Sequence, residues 1–254
     1  MLRLENVTLF AASGVAVLET VAALRRSCAN IEFGAIRMFC DVRPDGIGGT
    51  PIEWTKIAAL RSRSDYTRFI LKDLHRHIDT DFALCVQWDG FVLRPEAWRP
   101  QFLDYDYIGA PWPQFTGDWT VGNGGFSLRS ARLLRATANS SIPVDDAEDV
   151  VICRKARGQL EQRFGIRFAP LSEARRFSCE RAEPQGDEFG FHGIFNFSRL
   201  LGPEQLRTML NSVPAGLINL RDWWQMAKEA IASRHFNLLP PLVGYVSRGI
   251  WNRG

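Results

Sequence analysis

Apolar and polar positions along this chain follow two rhythms. Short apolar runs closed by polar residues or glycine read as strands, and apolar spacings of three and four read as helices. Val7 to Ala12 is a first apolar run, closed by Ser13-Gly14. Val15 to Arg26 follows with Val17, Leu18, Val21 and Leu24 on one stripe, which predicts a helix. Ala35 to Cys40 predicts a second strand ending on Asp41. Tyr66 to Ile78 is amphipathic, with Phe69, Ile70, Leu74 and Ile78 turned inward. Phe82 to Val86 is a buried strand that stops abruptly on Gln87-Trp88-Asp89-Gly90. Strand, helix, strand, helix, strand in this order predicts an α/β fold: a mixed, mainly parallel sheet flanked by helices.

Beyond Gly90 the rhythm changes. Phe91-Val92-Leu93 resumes a short apolar strand, and Pro95 to Trp98 begins a helix or turn. Tyr105 to Pro113 is rigid and aromatic, and Val121 to Arg129 is a glycine cluster running into a strand. Ser130 is placed to cap a helix from Ala131 to Ala136, and a second helix opens on Glu148-Asp149 and runs to about Phe164. Ala182 to Glu188 is a polar loop, and an aromatic stretch surrounds His192. From Pro203 the tail is mostly helical, over Glu204–Leu210 and Leu220–Ser233, with Pro240-Pro241 expected to break it. This divides the chain into a main domain over 1–200 and a C-terminal helical extension over 201–254.

Composition narrows the class. With 254 residues, 46% of them hydrophobic, and a mean hydropathy of −0.14, the chain can bury a sizeable core. A net charge of +3 is too mild to argue for nucleic acid. The five cysteines are widely spaced and form no CxxC pair, which suits reduced core residues of a cytoplasmic protein. No run of about twenty apolar residues is present, and the first residues, with Glu5 among them, do not read as a signal peptide. In the tail, Trp223, Trp224, Phe236, Tyr245 and Trp251 are interleaved with Arg221, Lys228, Arg234, Arg248 and Arg253. That pattern suits either a peripheral contact with the inner face of an anionic membrane or plain packing.

Four features carry the chemistry. Asp89 ends a buried strand, where an acid is costly without a partner but natural at the carboxyl edge of an α/β sheet. Its plain alternative is a turn residue capping its own backbone. Gly122-Asn123-Gly124-Gly125 can bring backbone close to a ligand, or can be a bulge or hairpin. Glu148-Asp149 opens a helix, where the helix dipole should lower both pKa values and keep the acids ionised; its plain alternative is N-terminal capping. His192, between glycine and aromatic residues, is either a ligand or a satisfied core histidine. The loop holding Gly46, Gly48 and Gly49 lacks the Lys-Ser/Thr of a P-loop.

These strings resemble a known family. The order of acidic strand end, glycine-rich loop, helix-borne acid pair and late histidine looks like the GT-A (Rossmann-like) fold of nucleotide-sugar glycosyltransferases. More closely, Gln87–Gly90, Tyr105–Trp112 and Gly122–Arg129 are similar to the QxDG, YDYIGAPW and GNGGFSLR strings of a bacterial and fungal family of glycosyltransferase-like domains of unknown function. The resemblance implies a transferase that moves a sugar from a nucleotide-sugar donor to a hydroxyl acceptor, a bacterial surface glycan or lipid-linked precursor, in polysaccharide biosynthesis. It implies Mn²⁺ or Mg²⁺ held by Asp89 and His192, donor binding by Gln87, Asp89, Gly124, Gly125 and the strand-end Asp41, and Asp149 as general base beside Glu148. Trp112, Trp119 and Asn123 are the candidates for the acceptor or sugar ring. Gln87 stands where the DxD motif has its first acid, which implies a weaker metal site. The rival readings are a catalytically weak nucleotide-sugar-binding protein and a metal-dependent phosphoesterase or nucleotidyltransferase.

Overall fold

The computed structural model describes residues 1–251. Arg253 and the side chain of Trp251, both part of the basic aromatic tail, lie outside the described residues. The chain forms two compact units, Met1–His192 and Gly193–Gly254.

The first unit is built on a six-stranded mixed sheet. Its strands are β1 (Leu2–Ala12), β2 (Ile31–Cys40), β3 (Glu53–Lys56), β4 (Phe82–Cys85), β5 (Tyr107–Gly109) and β6 (Ser127–Ser130), in the order β3-β2-β1-β4-β6-β5. β3, β2, β1 and β4 run parallel, and β6 is antiparallel to both β4 and β5. The inner strands carry apolar side chains on both faces, so Leu9, Phe10, Leu84 and Cys85 are fully buried. Helix α1 (Val17–Cys28) connects β1 to β2, and Val21 and Leu24 point into the core while Leu18 stays exposed.

The expected helix from Tyr66 begins earlier and is not uniform. It is α2 (Arg63–Arg68), capped by the Ser62 hydroxyl accepting from the Asp65 amide at 3.1 Å, then a π-helical turn over Phe69–Asp73 and a 3₁₀ turn over Leu74–His77. After β6, Ser130 caps α3 (Ala131–Thr137) by accepting from the Leu133 amide at 3.0 Å, as its position before an apolar run predicts. The helix expected over 148–164 is likewise divided, into α4 (Glu148–Val150), a π turn over Val151–Lys155 and α5 (Arg157–Phe164). An unforeseen α6 (Leu171–Phe177) runs into the two-residue strand β7 (Ser178–Cys179), which pairs in parallel with β8 (Gly190–Phe191). Phe91–Leu93 does not form a strand of the main sheet; Val92 makes only an isolated bridge to Gly190. Phe102, Phe126, Phe177 and Phe189 pack edge-on and tilted, with centroids 5.2–6.4 Å apart, in the core near this pair.

The second unit is helical: α7 (Phe197–Leu201), α8 (Pro203–Ser212), α9 (Leu220–Ala232) and α10 (Leu239–Trp251). Pro240-Pro241 does not break the tail. The two prolines sit in the first turn of α10, where a missing N–H costs nothing and the fixed φ suits a helix. Tyr245 is buried, its hydroxyl accepting from the Ile218 amide and donating to the Pro214 carbonyl, and Trp223 donates to the Leu242 carbonyl at 2.9 Å. Trp224 and Phe236 remain exposed. Among the described residues no helix is long and apolar enough to cross a membrane.

Candidate functional site

In this sheet β2 and β4 flank β1 on opposite sides, so the connections diverge at the carboxyl ends of β1 and β4, where α/β sheets form ligand crevices. A cleft of about 290 Å³ opens there, lined by Ser13, Gly14, Arg61, Arg63, Tyr66, Gln87 and Trp88 among others. Asp41 follows β2 along the same edge of the sheet but is not among the residues lining this cleft.

At the end of β4, Gln87 and Gly90 exchange both backbone hydrogen bonds, at 3.2 and 3.0 Å, making Trp88-Asp89 a tight turn. The side-chain amide of Gln87 is oriented: its Nε2 donates to the Tyr66 hydroxyl at 3.1 Å, which turns Oε1 towards His192 Nε2, also at 3.1 Å. Asp89 Oδ1 stands 3.3 Å from the same imidazole nitrogen and has no hydrogen-bond partner of its own, although it is buried. Three donor atoms from Gln87, Asp89 and His192 therefore share one small space.

The short strand pair explains how His192 arrives there. Glu180 follows β7 and His192 follows β8 in matching register, and the His192 amide donates to the Cys179 carbonyl at 3.0 Å. Glu180 Oε1 then lies 3.3 Å from His192 Nδ1, and Asn123 Nδ2 lies 3.1 Å from it. Burial opposes a charge on His192, but the Asp89 carboxylate and the contacts with Asp89 and Glu180 outweigh it and raise the pKa well above the ordinary histidine value.

The glycine loop packs against the other site residues. A methyl group on Gly125 would stand 2.1 Å from His192 Nε2, and one on Gly124 only 1.9 Å from Glu148 Oε1. The space that glycine opens is thus filled by the protein's own side chains. Asn123 takes a left-handed backbone conformation, φ 55°, and its Oδ1 accepts from the Phe126 amide at 3.3 Å, so it organises the turn beneath His192. Trp112 is buried with its ring against Gly122, whereas Trp119 is exposed with Arg154 and Arg157 over its ring.

The acid pair divides its work. Glu148 is buried and meets the fully buried guanidinium of Arg129 at 2.9 Å; Arg129 also donates to the Gly124 carbonyl and the Ser127 hydroxyl. Asp149 is half-buried as a residue but its carboxyl is enclosed, accepting from the Gly124 amide at 3.0 Å and, through its other oxygen, from the Val150 amide at 2.8 Å. The expectation that the helix start lowers its pKa is overturned. Burial, with the charge of Glu148 next to it, pushes the Asp149 carboxyl up to about 7, and the two amides only moderate that rise. α4 is a single turn, too short for a strong dipole to offset the desolvation.

Tyr66, Glu180, Arg61 and Arg63 sit in ordinary sequence contexts that do not mark them as site residues. Arg129 alone carried a signal, a cation inside an apolar strand, which requires a buried counter-charge.

A family model described as a protein of unknown function (DUF5672) matches residues 51–192, more than half of the chain and up to His192 itself. No curated protein matches. Among solved structures, a glycosyltransferase involved in the glycosylation of the major capsid of PBCV-1 is similar at 11% identity and a TM-score of 0.45, over 73% of this chain and 91% of that one. The mannosyltransferase PcManGT from Pyrobaculum calidifontis, in complex with GDP-Man and Mn2+, is similar at 9% identity and a TM-score of 0.43, over 98% of this chain and 88% of that one.

Proposed function

We propose that this chain, which belongs to the DUF5672 family of proteins of unknown function, is a glycosyltransferase that moves a sugar from a nucleotide-sugar donor to a hydroxyl acceptor. The observation that carries the reading is the cluster of Gln87 Oε1, Asp89 Oδ1 and His192 Nε2 beside a cleft lined by Arg61 and Arg63. The intact QxDG, YDYIGAPW and GNGGFSLR strings point the same way.

A divalent cation fits this cluster. Donor atoms sharing one small octahedral cation stand about 3 Å apart. The spacings here are 3.1 and 3.3 Å, and the buried Asp89 oxygen faces only the His192 imidazole, whose proton the cation would replace. Gln87, Asp89 and His192 would hold the ion, Mn²⁺ or Mg²⁺, through two oxygens and one imidazole nitrogen. When bound, the ion supplies charge neutralisation for a diphosphate leaving group. Arg61 and Arg63 add positive charge in the adjoining cleft, which suits the donor phosphates.

Asp149 acts as the base on the acceptor hydroxyl, taking its proton on a carboxylate oxygen as the hydroxyl oxygen attacks the anomeric carbon. A pKa near 7 suits that role, because the group both accepts the proton readily and is ionised at neutral pH. Arg129 and Glu148 position it by locking the loop that supplies the Gly124 amide. Trp119, the exposed ring, is the better placed of the two tryptophans to take a sugar face. The acceptor is a glycan or a lipid-linked precursor, and the C-terminal helices supply a peripheral membrane contact.

The test is incubation of the protein with a panel of nucleotide sugars and Mn²⁺, reading release of nucleoside diphosphate. Release with at least one donor is expected. The reading fails if no donor is turned over and no nucleoside diphosphate binds.

A further inference from the structure

Charge is unevenly divided along the chain. Residues 193–254 contain seven Lys or Arg and three Asp or Glu, a net +4, whereas residues 1–192 contain 24 and 25, a net −1. The chain's whole positive excess therefore belongs to the helical unit.

Within that unit α9 sorts its side chains by face. Met226, Ala227 and Ala230 are buried. Leu220, Trp224 and Ile231 are 68%, 52% and 56% exposed. At about 100° per residue these three fall within one sector of about 40°, with Lys228 and Arg221 in the next sector of about 60°. Of the two acids of the helix one is buried and the other is neutralised. Asp222 is buried at its first turn, where its amide is capped by Asn219, and Glu229 is paired with Arg199 at 2.8 Å. Arg221, Trp224 and Lys228 also line a shallow cleft of about 780 Å³ with Gln225 and the paired Arg199 and Glu229.

We propose that this outward face of α9 docks on an anionic lipid surface, with Leu220, Trp224 and Ile231 entering the interface and Arg221 and Lys228 meeting the headgroup phosphates. A helix lying in a lipid interface requires an exposed apolar stripe, an aromatic ring at its border and cations beside it. α9 has all three, and its acids are neutralised or hidden. An exposed apolar stripe of this kind is otherwise a cost to a protein in water. The inference specifies the membrane contact of the proposed function, but it does not depend on sugar transfer.

Co-sedimentation of the full chain with vesicles tests it, since the assay needs neither donor nor acceptor. The chain is expected to sediment with phosphatidylcholine–phosphatidylglycerol vesicles and to stay in solution with phosphatidylcholine alone. Arg221→Gln with Lys228→Gln should weaken partitioning about 30-fold, from roughly a fivefold contribution per cation. Trp224→Ser, and separately Ile231→Ser, should weaken it at unchanged surface charge. All four positions are exposed, so melting temperatures should match the wild type. Absence of binding to the anionic vesicles overturns the proposal, as does equal binding by wild type and variants. A wild-type dimer in sedimentation velocity that Trp224→Ser dissolves would assign the face to a second copy of the chain and equally overturn it.

Discussion

A carboxyl with a pKa near 7 has consequences in two directions. As a base, Asp149 must be ionised, so the transfer rate should rise with pH and level off above about 7. Asp149→Asn should lose about two orders of magnitude or more in rate while nucleotide affinity survives. Measuring both side by side separates this from collapse of the fold. Stability should move the opposite way. The folded-state pKa is raised above the ordinary carboxylate value, so between about pH 4 and 7 the unfolded chain releases a proton that the folded chain keeps. Wild-type stability therefore declines over that window through this group, and Asp149→Asn does not share the decline. Its melting temperature relative to wild type should climb from pH 4 to pH 7; a constant difference would contradict the raised pKa. Gly125→Ala probes the neighbouring contact. Its methyl would stand 2.1 Å from His192 Nε2, and overpacking of this kind costs about 1–3 kcal/mol. A lowered melting temperature together with lost Mn²⁺ binding is expected, and an unchanged metal response would show that His192 can move aside without leaving the cluster.

At the scale of elements, the readable parts were those whose burial is simple. β4 and the later halves of β1 and β2, Val7–Ala12 and Ala35–Cys40, are mostly apolar runs and legible as strands, whereas the polar first halves, from Leu2 and from Ile31, are not; Ser130 before an apolar run marks the start of α3. β3, with the sequence Glu-Trp-Thr-Lys at the sheet edge, has no such run. β7 and β8 are two residues each, below anything periodicity can register. That loss mattered for the site, because their register is what brings Glu180 to His192. Gln87, Asp89, Asn123, Gly125 and His192 were each visible as residues out of place in an apolar or glycine-rich context. Their partners Tyr66 and Glu180 looked ordinary, since only the tertiary fold makes them neighbours. Arg129 ties β6 to α4 through Glu148 with both side chains buried. Removing one partner of such a pair leaves an uncompensated charge, so Arg129→Met should cost about 3–5 kcal/mol. Adding Glu148→Leu should return much of that stability without restoring activity. If Arg129→Met melts like the wild type, the pair is not buried in solution.

For the whole molecule, the sheet edge supplies a cleft on one side of Gln87 and the donor-atom cluster on the other, and one ligand with phosphates should engage both. Binding confined to the native state raises its stability by about 2.7 kcal/mol at a hundredfold excess over Kd. For a cooperative unit of about 200 residues this amounts to roughly 5–10 °C in melting temperature. A nucleoside diphosphate with Mn²⁺ should produce such a rise, and the diphosphate with a chelator should produce less, through Arg61 and Arg63 alone. Asp89→Asn should abolish the metal-dependent part and leave the remainder, because the substitution keeps the size of the side chain in its tight turn and removes only the charge. Gln87→Asp should enlarge the metal-dependent part by adding a second carboxylate where an amide now faces His192. A melting shift that is identical with Mn²⁺ and with chelator, in wild type and Asp89→Asn alike, would remove the cation from the site and leave the two arginines as the whole of its phosphate recognition.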